Sequence, residues 1–186
     1  MSVQLAKRYF SVTEYYRMAE AGILTEDDRV ELIEGEIVKM SPIGSLHAAC
    51  VKRLNKLLQR QFGDDAVIGV QDPIRLSDFS EPEPDVALLR PRADLYAQAH
   101  PTPDDVLLII EVADTTVLSD RNVKVPLYAR AGIPEVWLID LPQEVVEIYA
   151  RPAEGGYQVQ RQARRGEQLT AETLAQLSLT VDAVLG

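Results

Sequence analysis

The chain of 186 residues is 46% hydrophobic and 26% charged, proportions that are ordinary for a globular domain. A chain of this length usually forms one domain with a substantial core, so we expect a single domain over residues 1–186. No segment approaches the ~20 apolar residues that cross a bilayer, which argues against a membrane protein. The net charge of −10 argues against indiscriminate attraction to nucleic acid, but basic residues gathered on one rim are compatible with the same total.

The N-terminus and the cysteine content bear on the compartment. The opening "MSVQLAKRYF" lacks the continuous apolar stretch of a signal peptide. The single cysteine, Cys50, cannot form an internal disulfide. We therefore expect a soluble, cytoplasmic protein in a reducing environment.

The first elements are a helix and a hairpin. Ser11 with Glu14 three residues later forms a capping-box pattern, which predicts a helix ending near Gly22. In "RVELIEGEIVKMS", apolar and polar residues alternate on both sides of Glu34-Gly35, which predicts a β-hairpin or a bent strand. Its buried face would consist of Val30, Leu32, Ile37 and Met40.

Helical spacing follows from about residue 43 to residue 62. At 100° per residue one face is apolar, with Cys50, Val51, Leu54, Leu57 and Leu58. The opposite face carries Lys52, Arg53, Lys56 and Arg60. This basic face is either solvated or a contact surface for a nucleic-acid backbone.

The central and final elements predict a mixed sheet. Three strand candidates follow the second helix: "AVIGVQDPIRL", "PDVALLRP" and "DVLLIIEVAD". A helix is expected from about Arg121 to Ala131, although Pro126 places its regular part only from about Val125 onward. "EVWLIDL" and "EVVEIYA" predict two further strands, and a polar strand and a short apolar segment close the chain. The predicted fold class is α/β, with a mixed central β-sheet flanked by helices.

Glu111 interrupts a strand that otherwise looks fully buried. The pleat would place Val106, Leu108, Ile110 and Val112 on one side of "VLLIIEVA", and the other four residues on the side of Glu111. An unpaired buried carboxylate is costly, so this residue should be solvated, paired or bound to a cation. A strand end that reaches solvent remains the alternative.

Asp85 is the second carboxylate of interest. It opens "PDVALL" after a proline-rich turn, where it would reach the same sheet edge as the end of a neighbouring strand. The alternative is an aspartate that hydrogen-bonds within its own turn. Two carboxylates at adjacent strand ends repel each other, and Mg²⁺ or Mn²⁺, which prefer oxygen ligands, would remove that repulsion.

Three further residues are candidates with ordinary alternatives. His47 lies in the first turn of its helix on the apolar face, where a histidine bonded to a backbone carbonyl is the more frequent explanation. By its spacing alone, Glu31 would be a solvated strand residue. Lys124 has a local ion pair with Asp120 as its alternative, but beside carboxylates and a metal it could stabilise charge on a phosphate. The sequence contains no phosphate-binding glycine loop, paired CxxC, HExxH or GxSxG motif.

Three segments in order, "RVELIEGEIVKMSPIGSLH", "EPDVALL" and "LLIIEVADTTVLSDRNVKVPLYARAGIPEVWLID", resemble the Uma-two family of restriction-endonuclease-like proteins, a branch of the PD-(D/E)xK nuclease superfamily. The resemblance covers roughly residues 11–149. It implies a restriction-endonuclease-like core and hydrolysis of phosphodiester bonds, in DNA, with Mg²⁺ or Mn²⁺.

The resemblance also implies roles for individual residues. Asp85 corresponds to the aspartate of the PD motif and Glu111 to the acidic residue of the (D/E)xK motif. Both would bind the metal together with the Val112 carbonyl. The superfamily's lysine would be expected two residues after Glu111, where this chain has Ala113. The resemblance places the lysine in the following helix, as Lys124, and implies that Glu31 and His47 line the pocket.

Two hypotheses remain open from the sequence. The first is a metal-dependent endonuclease acting on DNA, and analogy with small restriction-type nucleases adds a homodimer as an expectation. The second is a catalytically inactive nuclease-like domain that serves as a binding or assembly module, because a fold does not guarantee an activity.

Overall fold

The computed structural model describes residues 6–25 and 27–186. The first half of the chain contains α1 (Val12–Glu20), β1 (Val30–Ile33), β2 (Glu36–Lys39), α2 (Ser45–Phe62), β3 (Val67–Gly69), β4 (Val86–Leu89) and β5 (Val106–Ala113). The second half contains α3 (Val117–Ser119), a π-helical segment (Asp120–Lys124), α4 (Val125–Arg130), β6 (Glu135–Asp140), β7 (Val145–Ala153), β8 (Gly156–Arg164), β9 (Gln168–Thr170), β10 (Ser178–Thr180) and α5 (Val181–Leu185). Short 3₁₀ turns lie at Gly63–Asp65 and Pro103–Asp105.

A six-stranded sheet with the order β3-β4-β5-β6-β7-β8 forms the centre of the fold. The central β5–β6 pair is parallel, whereas the other neighbouring pairs are antiparallel. A parallel pair needs a crossover, and the helical segment from α3 to α4 supplies it. The predicted mixed α/β sheet is confirmed.

Helices cover both faces of this sheet. On one face, α2 and α5 pack against the side chains of Leu108, Ile110 and Val112. On the other face, α4 packs against Ile109 and Ala113. Burial of β5 on both faces explains why its sequence is an almost continuous apolar run.

The two N-terminal predictions are confirmed. The Ser11–Glu14 capping box is formed, and α1 ends at Glu20, close to the expected Gly22. In the β1–β2 hairpin, Glu34 and Gly35 both have positive φ, 49° and 78°, as a two-residue hairpin turn requires. A Cβ at Gly35 would lie 2.5 Å from Cβ of Tyr9, so this turn also needs glycine for space.

The expected alternation along β5 is correct from Leu108 to Ala113 and wrong before it. Val106 packs on the α4 face and Leu107 on the α2 face, opposite to the prediction. The cause is a register shift against β4, in which Leu88 faces Leu108 but Leu89 faces Val106. Leu107 is therefore an extra residue, and a bulge of this kind reverses the side-chain alternation.

The helix around Pro126 begins earlier than expected. Residues 117–119 already form a helical turn, before the predicted start at Arg121. The regular part begins at Val125, as predicted, because Pro126 lies in its first turn, where no backbone N–H is needed. Between them the chain forms a π turn, closed by the Val125 N–H donating to the Asp120 carbonyl.

The closing segment of the chain, α5, is hydrogen-bonded to α2. Arg53 Nε donates to the Val184 carbonyl at 3.0 Å, and its guanidinium also donates to the Leu185 carbonyl. None of the described helices combines the length and the apolar character needed to span a membrane.

Candidate active site

The C-terminal end of β5 and the start of β4 meet at one edge of the sheet. Because the two strands are antiparallel with Val86 opposite Ile110, Asp85 lies next to Glu111. A cleft of about 650 Å³ opens there. The residues predicted to be catalytic or metal-binding all line this cleft: Glu31, His47, Asp85, Glu111, Val112 and Lys124.

Glu111 is at the bottom of the cleft, with only 2% of its surface exposed. The Tyr128 hydroxyl donates to Oε1 at 2.6 Å, and the Asp85 backbone N–H donates to Oε2 at 3.4 Å. Burial raises the pKa of Glu111 to about 8, against the opposing effect of Lys124. The alternative that this residue reaches solvent at a strand end is wrong. A cation in the cleft would favour the ionised carboxylate.

Lys124 reaches the same carboxylate from the π-helical segment. Its Nζ lies 3.1 Å from Oε2 of Glu31 and 3.4 Å from Oε1 of Glu111. Burial alone would lower the pKa of Lys124, but Glu111 and Glu31 raise it above its ordinary value, so the ammonium stays charged. The alternative of an ion pair with Asp120 is wrong, because Asp120 accepts a hydrogen bond from Thr116 Oγ1 at 2.6 Å instead.

The Asp85 carboxylate is held on the other side of the cleft by α2. Its Oδ2 accepts from the Val112 backbone N–H at 2.8 Å, and Gln71 Nε2 donates to Oδ1 at 3.2 Å. His47 Nε2 lies 3.0 Å from both carboxylate oxygens. Asp85 therefore bonds across to β5, and the alternative of an aspartate engaged only in its own turn is wrong.

His47 has a carboxylate partner, so the expectation of a backbone carbonyl partner is also wrong. The hydrogen bond with Asp85 raises the pKa of His47, and burial opposes this. Among the partners that the described residues offer, its buried Nδ1 has none.

Glu31 is 5% exposed, which corrects the expectation of a solvated strand residue. Its Oε2 accepts from the Glu83 backbone N–H at 3.2 Å, in addition to its ion pair with Lys124. Both faces of β1 are buried, since Leu32 on the opposite side is fully enclosed and forms a bridge with Glu81. Of the predicted apolar face of the hairpin, only Leu32 is fully buried, and Val30, Ile37 and Met40 are half-buried.

Ala113 explains why the lysine is not on β5. Its side chain points to the same side as Glu111, but there it is fully buried and packs with Val125 and Tyr128 of α4. A lysine at this position would enter the packed layer between sheet and helix. Lys124 reaches the carboxylate from that helical layer.

The sequence prediction missed several residues of the cleft. Glu83 lines the cleft two residues before the predicted Asp85, and Asp114 lines it two residues after the predicted Val112. Asp120 also lines it, one helical turn before Lys124. Burial raises the pKa of Glu83 and of Asp120. The repeated acidic residues of "EPEPD" and the helical spacing from Asp120 to Tyr128 were the signals available for these residues.

The basic face of α2 does not lie in the cleft. Lys52, Lys56 and Arg60 are exposed and are not among the residues that line it. Arg53 differs from these three, because it bonds to the carbonyls of the closing segment. The basic side chains that do line the cleft are Arg29, Lys39 and Lys124.

The cleft offers oxygen ligands, which are the type that a hard cation prefers. Asp85 and Glu111 offer carboxylate oxygens, and Val112 of β5 lines the same cleft. In the described part of the chain, no three His, Cys, Asp or Glu side chains are grouped so that they could hold a metal ion by themselves. A site here would thus combine two side chains with a backbone oxygen and water.

A crystal structure described as "a putative nuclease belonging to DUF820 from Anabaena variabilis ATCC 29413" superposes with a TM-score of 0.70 at 15% identity, over 95% of this chain and 97% of that one. This likeness shows a shared fold. The comparison with curated proteins finds no match. A family model described as "Uma2: Putative restriction endonuclease" matches residues 12–182, and the chain therefore belongs to the Uma2 family.

Proposed function

We propose that the protein is a metal-dependent endonuclease that hydrolyses phosphodiester bonds in DNA. One observation carries the proposal: Lys124 lies within 3.4 Å of Glu111 in a cleft that Asp85 also lines. An acidic pair with a lysine beside it is the residue set expected for this chemistry. Membership of the Uma2 family and the nuclease-like fold support the same reading.

Asp85, Glu111 and the Val112 carbonyl would hold Mg²⁺ or Mn²⁺. Bound there, the ion would supply Lewis acidity and offset negative charge on the phosphate. The residues fit in donor chemistry, because carboxylate and carbonyl oxygens are the ligands these ions prefer. The Tyr128 hydroxyl fixes the orientation of Glu111 from behind, and His47 does the same for Asp85.

Lys124 would act on the reacting groups. Its ammonium is charged and buried, so its interaction with a phosphate oxygen or an attacking water is weakly screened. Glu31 holds it in position from the hairpin at 3.1 Å. In-line attack by water would form a new phosphorus–oxygen bond and break the bond to the 3′ oxygen, which would leave as a hydroxyl after gaining a proton, while the attacking water gives up one proton to solvent.

A second function is favoured by two observations. The superfamily lysine position on β5 is occupied by the buried Ala113, and no three-side-chain metal group exists among residues 6–25 and 27–186. Both are compatible with an inactive nuclease-like domain that binds DNA or assembles with a partner.

The test is a cleavage assay on plasmid and linear duplex DNA with Mg²⁺, Mn²⁺ or EDTA. Glu111→Gln and Asp85→Asn remove the charge of each proposed ligand with little change in shape. Glu147→Gln is the matched control, because Glu147 lies outside the cleft, paired with Arg121 at 2.8 Å. The three variants are purified identically, which controls for contaminating nucleases.

We expect metal-dependent cleavage by the wild type and by Glu147→Gln, and a loss of at least about a hundredfold in both ligand variants. Equal cleavage by the wild type and Glu111→Gln would refute the assignment of the cleft as the nuclease active site. Calorimetric titration with Mn²⁺ separates the two functions, since a protein that binds DNA but neither binds the metal nor cleaves is the binding module.

A further inference from the structure

The cleft has an electrostatic problem as a DNA-binding site. Six carboxyl groups line it, and those that are ionised would repel a phosphate backbone: Glu31, Glu83, Asp85, Glu111, Asp114 and Asp120. The Lys124 ammonium is already shared between two of them. Cations at the mouth of the cleft are therefore needed if a polyanion is to enter it.

Two basic side chains of the β1–β2 hairpin lie at that mouth. Arg29 comes two residues before Glu31, so in extended chain it points to the same side as the carboxylate that holds Lys124. Lys39 is opposite Val30 in the hairpin register, and the Met40 N–H donates to the Arg29 carbonyl at 2.8 Å. The pairing brings both residues to the open end of the hairpin, where the Arg29 side chain leaves on the face of Glu31 and the Lys39 side chain on the face of Val30, and both residues line the cleft.

Neither residue forms an ion pair with a carboxylate in the described part of the chain. Within residues 6–25 and 27–186, Arg29 and Lys39 take part in no ion pair, in contrast to Arg8, Arg75, Arg92, Arg121, Arg130, Arg151 and Arg165. Arg29 as a residue is half-buried, and its guanidinium is positioned by one hydrogen bond, from Nη1 to the Ser41 carbonyl at 3.2 Å. Its remaining N–H groups form a planar fork suited to two phosphate oxygens. Lys39 is exposed and adds a mobile point charge.

We infer that Arg29 and Lys39 are the phosphate-binding pair of this protein, which holds the DNA backbone next to the phosphodiester that enters the cleft. The inference rests on the proposed function for its ligand. It replaces the basic face of α2 as the main contact surface, because Lys52, Lys56 and Arg60 are not among the residues that line the cleft.

The experiment compares two double variants that remove the same charges. Arg29→Ala/Lys39→Ala removes one arginine and one lysine from the hairpin, and Lys56→Ala/Arg60→Ala removes one of each from α2. Binding of a short fluorescein-labelled DNA duplex is followed by anisotropy in EDTA over a series of salt concentrations. Circular dichroism and thermal unfolding confirm that both variants are folded.

We expect the hairpin variant to bind at least about tenfold more weakly at about 0.1 M salt. The slope of log K against log salt should fall by about 1.8, because each lost phosphate contact removes about 0.9. The α2 variant should keep the wild-type slope. Equal losses in both variants, a larger loss in the α2 variant, or no binding by the wild type would overturn the inference.

The outcome is distinguishable from failure of the catalytic proposal. Binding is measured without a divalent ion, so cleavage does not contribute to the signal. Glu111→Gln should bind the duplex at least as tightly as the wild type, since glutamine is uncharged and adds no repulsion to the cleft. If that variant also cleaves DNA like the wild type, the catalytic assignment fails while the phosphate-binding pair stands.

Discussion

Nζ of Lys124 lies 3.4 Å from Oε1 of Glu111, although Lys124 belongs to the helical crossover and Glu111 to the strand before it. The same ammonium is 3.1 Å from Oε2 of Glu31, which comes from the N-terminal hairpin. Three distant parts of the chain thus converge on one buried cation. The arrangement is structural as well as chemical, because each charge depends on the others for compensation.

Replacement of Lys124 by methionine should destabilise the fold. Lys124→Met keeps the length of the side chain but leaves the buried Glu31 and Glu111 without their cation. We expect a loss of about 3 kcal/mol in the free energy of unfolding, measured by urea denaturation at neutral pH. Lys52→Met on the exposed face of α2 is the control and should change stability by less than about 0.5 kcal/mol. Equal effects would show that the buried cation is dispensable.

Ala113→Lys should not allow a lysine on β5 to take over the role of Lys124. The Ala113 side chain is fully buried against α4, so a lysine there must displace Val125 or Tyr128 or carry its charge into the apolar layer. We expect a fall in the thermal midpoint and no rescue of cleavage when the change is combined with Lys124→Ala. Ala113→Ser, which is closer to alanine in size, serves as the control. Rescue by Ala113→Lys would mean that the lysine position on β5 is still accessible.

Glu135 should be essential for holding the chain at Glu172 and Thr173 and unimportant for the cleft. Its buried carboxylate accepts from Trp137 Nε1 at 2.7 Å and from the backbone N–H groups of Glu172 and Thr173 at 2.8 and 3.0 Å. Glu135→Ala leaves these donors unpaired, and we expect a destabilisation on the order of 3 kcal/mol. Trp137 is the only tryptophan of the chain, so its fluorescence reports the change directly.

Glu135→Gln is the matched control, since it keeps one acceptor oxygen. It should retain part of the stability that Glu135→Ala loses, and any folded fraction should bind DNA like the wild type. If the unfolding curve of Glu135→Ala coincided with that of the wild type, the proposed role of Glu135 would be contradicted.

The Glu147–Arg121 pair should give a pH-dependent contribution to stability. Burial raises the pKa of Glu147, but the hydrogen bonds from Arg121 and Tyr149 outweigh it and hold the pKa below the ordinary value of 4.5. A carboxylate with a depressed folded pKa stabilises the fold above its unfolded pKa, and that contribution is lost as the pH falls through the folded value.

Urea denaturation of wild type and Glu147→Gln from pH 7 down to about pH 3 measures this contribution. The difference in unfolding free energy should be constant near neutral pH and should shrink below about pH 4.5, the ordinary value for a glutamate. A difference in unfolding free energy that grows as the pH falls would show that folding raises the pKa of Glu147 instead of lowering it.

Much of the fold was predictable because local signals were strong. The Ser11–Glu14 capping box, the Glu34-Gly35 turn and the start of the regular helix at Val125 each depend on neighbouring residues, and the structure confirms all three. The bulge at Leu107 was not predictable, because it depends on the pairing of β5 with β4. The same holds for the burial of Glu31, which no spacing along β1 could reveal.

By itself, the sequence determined which residues are unusual: a carboxylate within an apolar strand, an aspartate after a proline-rich turn, and a histidine on an apolar helix face. Only the tertiary structure decided their partners. Lys124 binds Glu111 and Glu31 in place of the adjacent Asp120, and His47 binds Asp85 in place of a backbone carbonyl. The physical reason is that a buried charge must find compensation within a few ångströms, and strand register and helix packing, which are long-range, determine what lies that close.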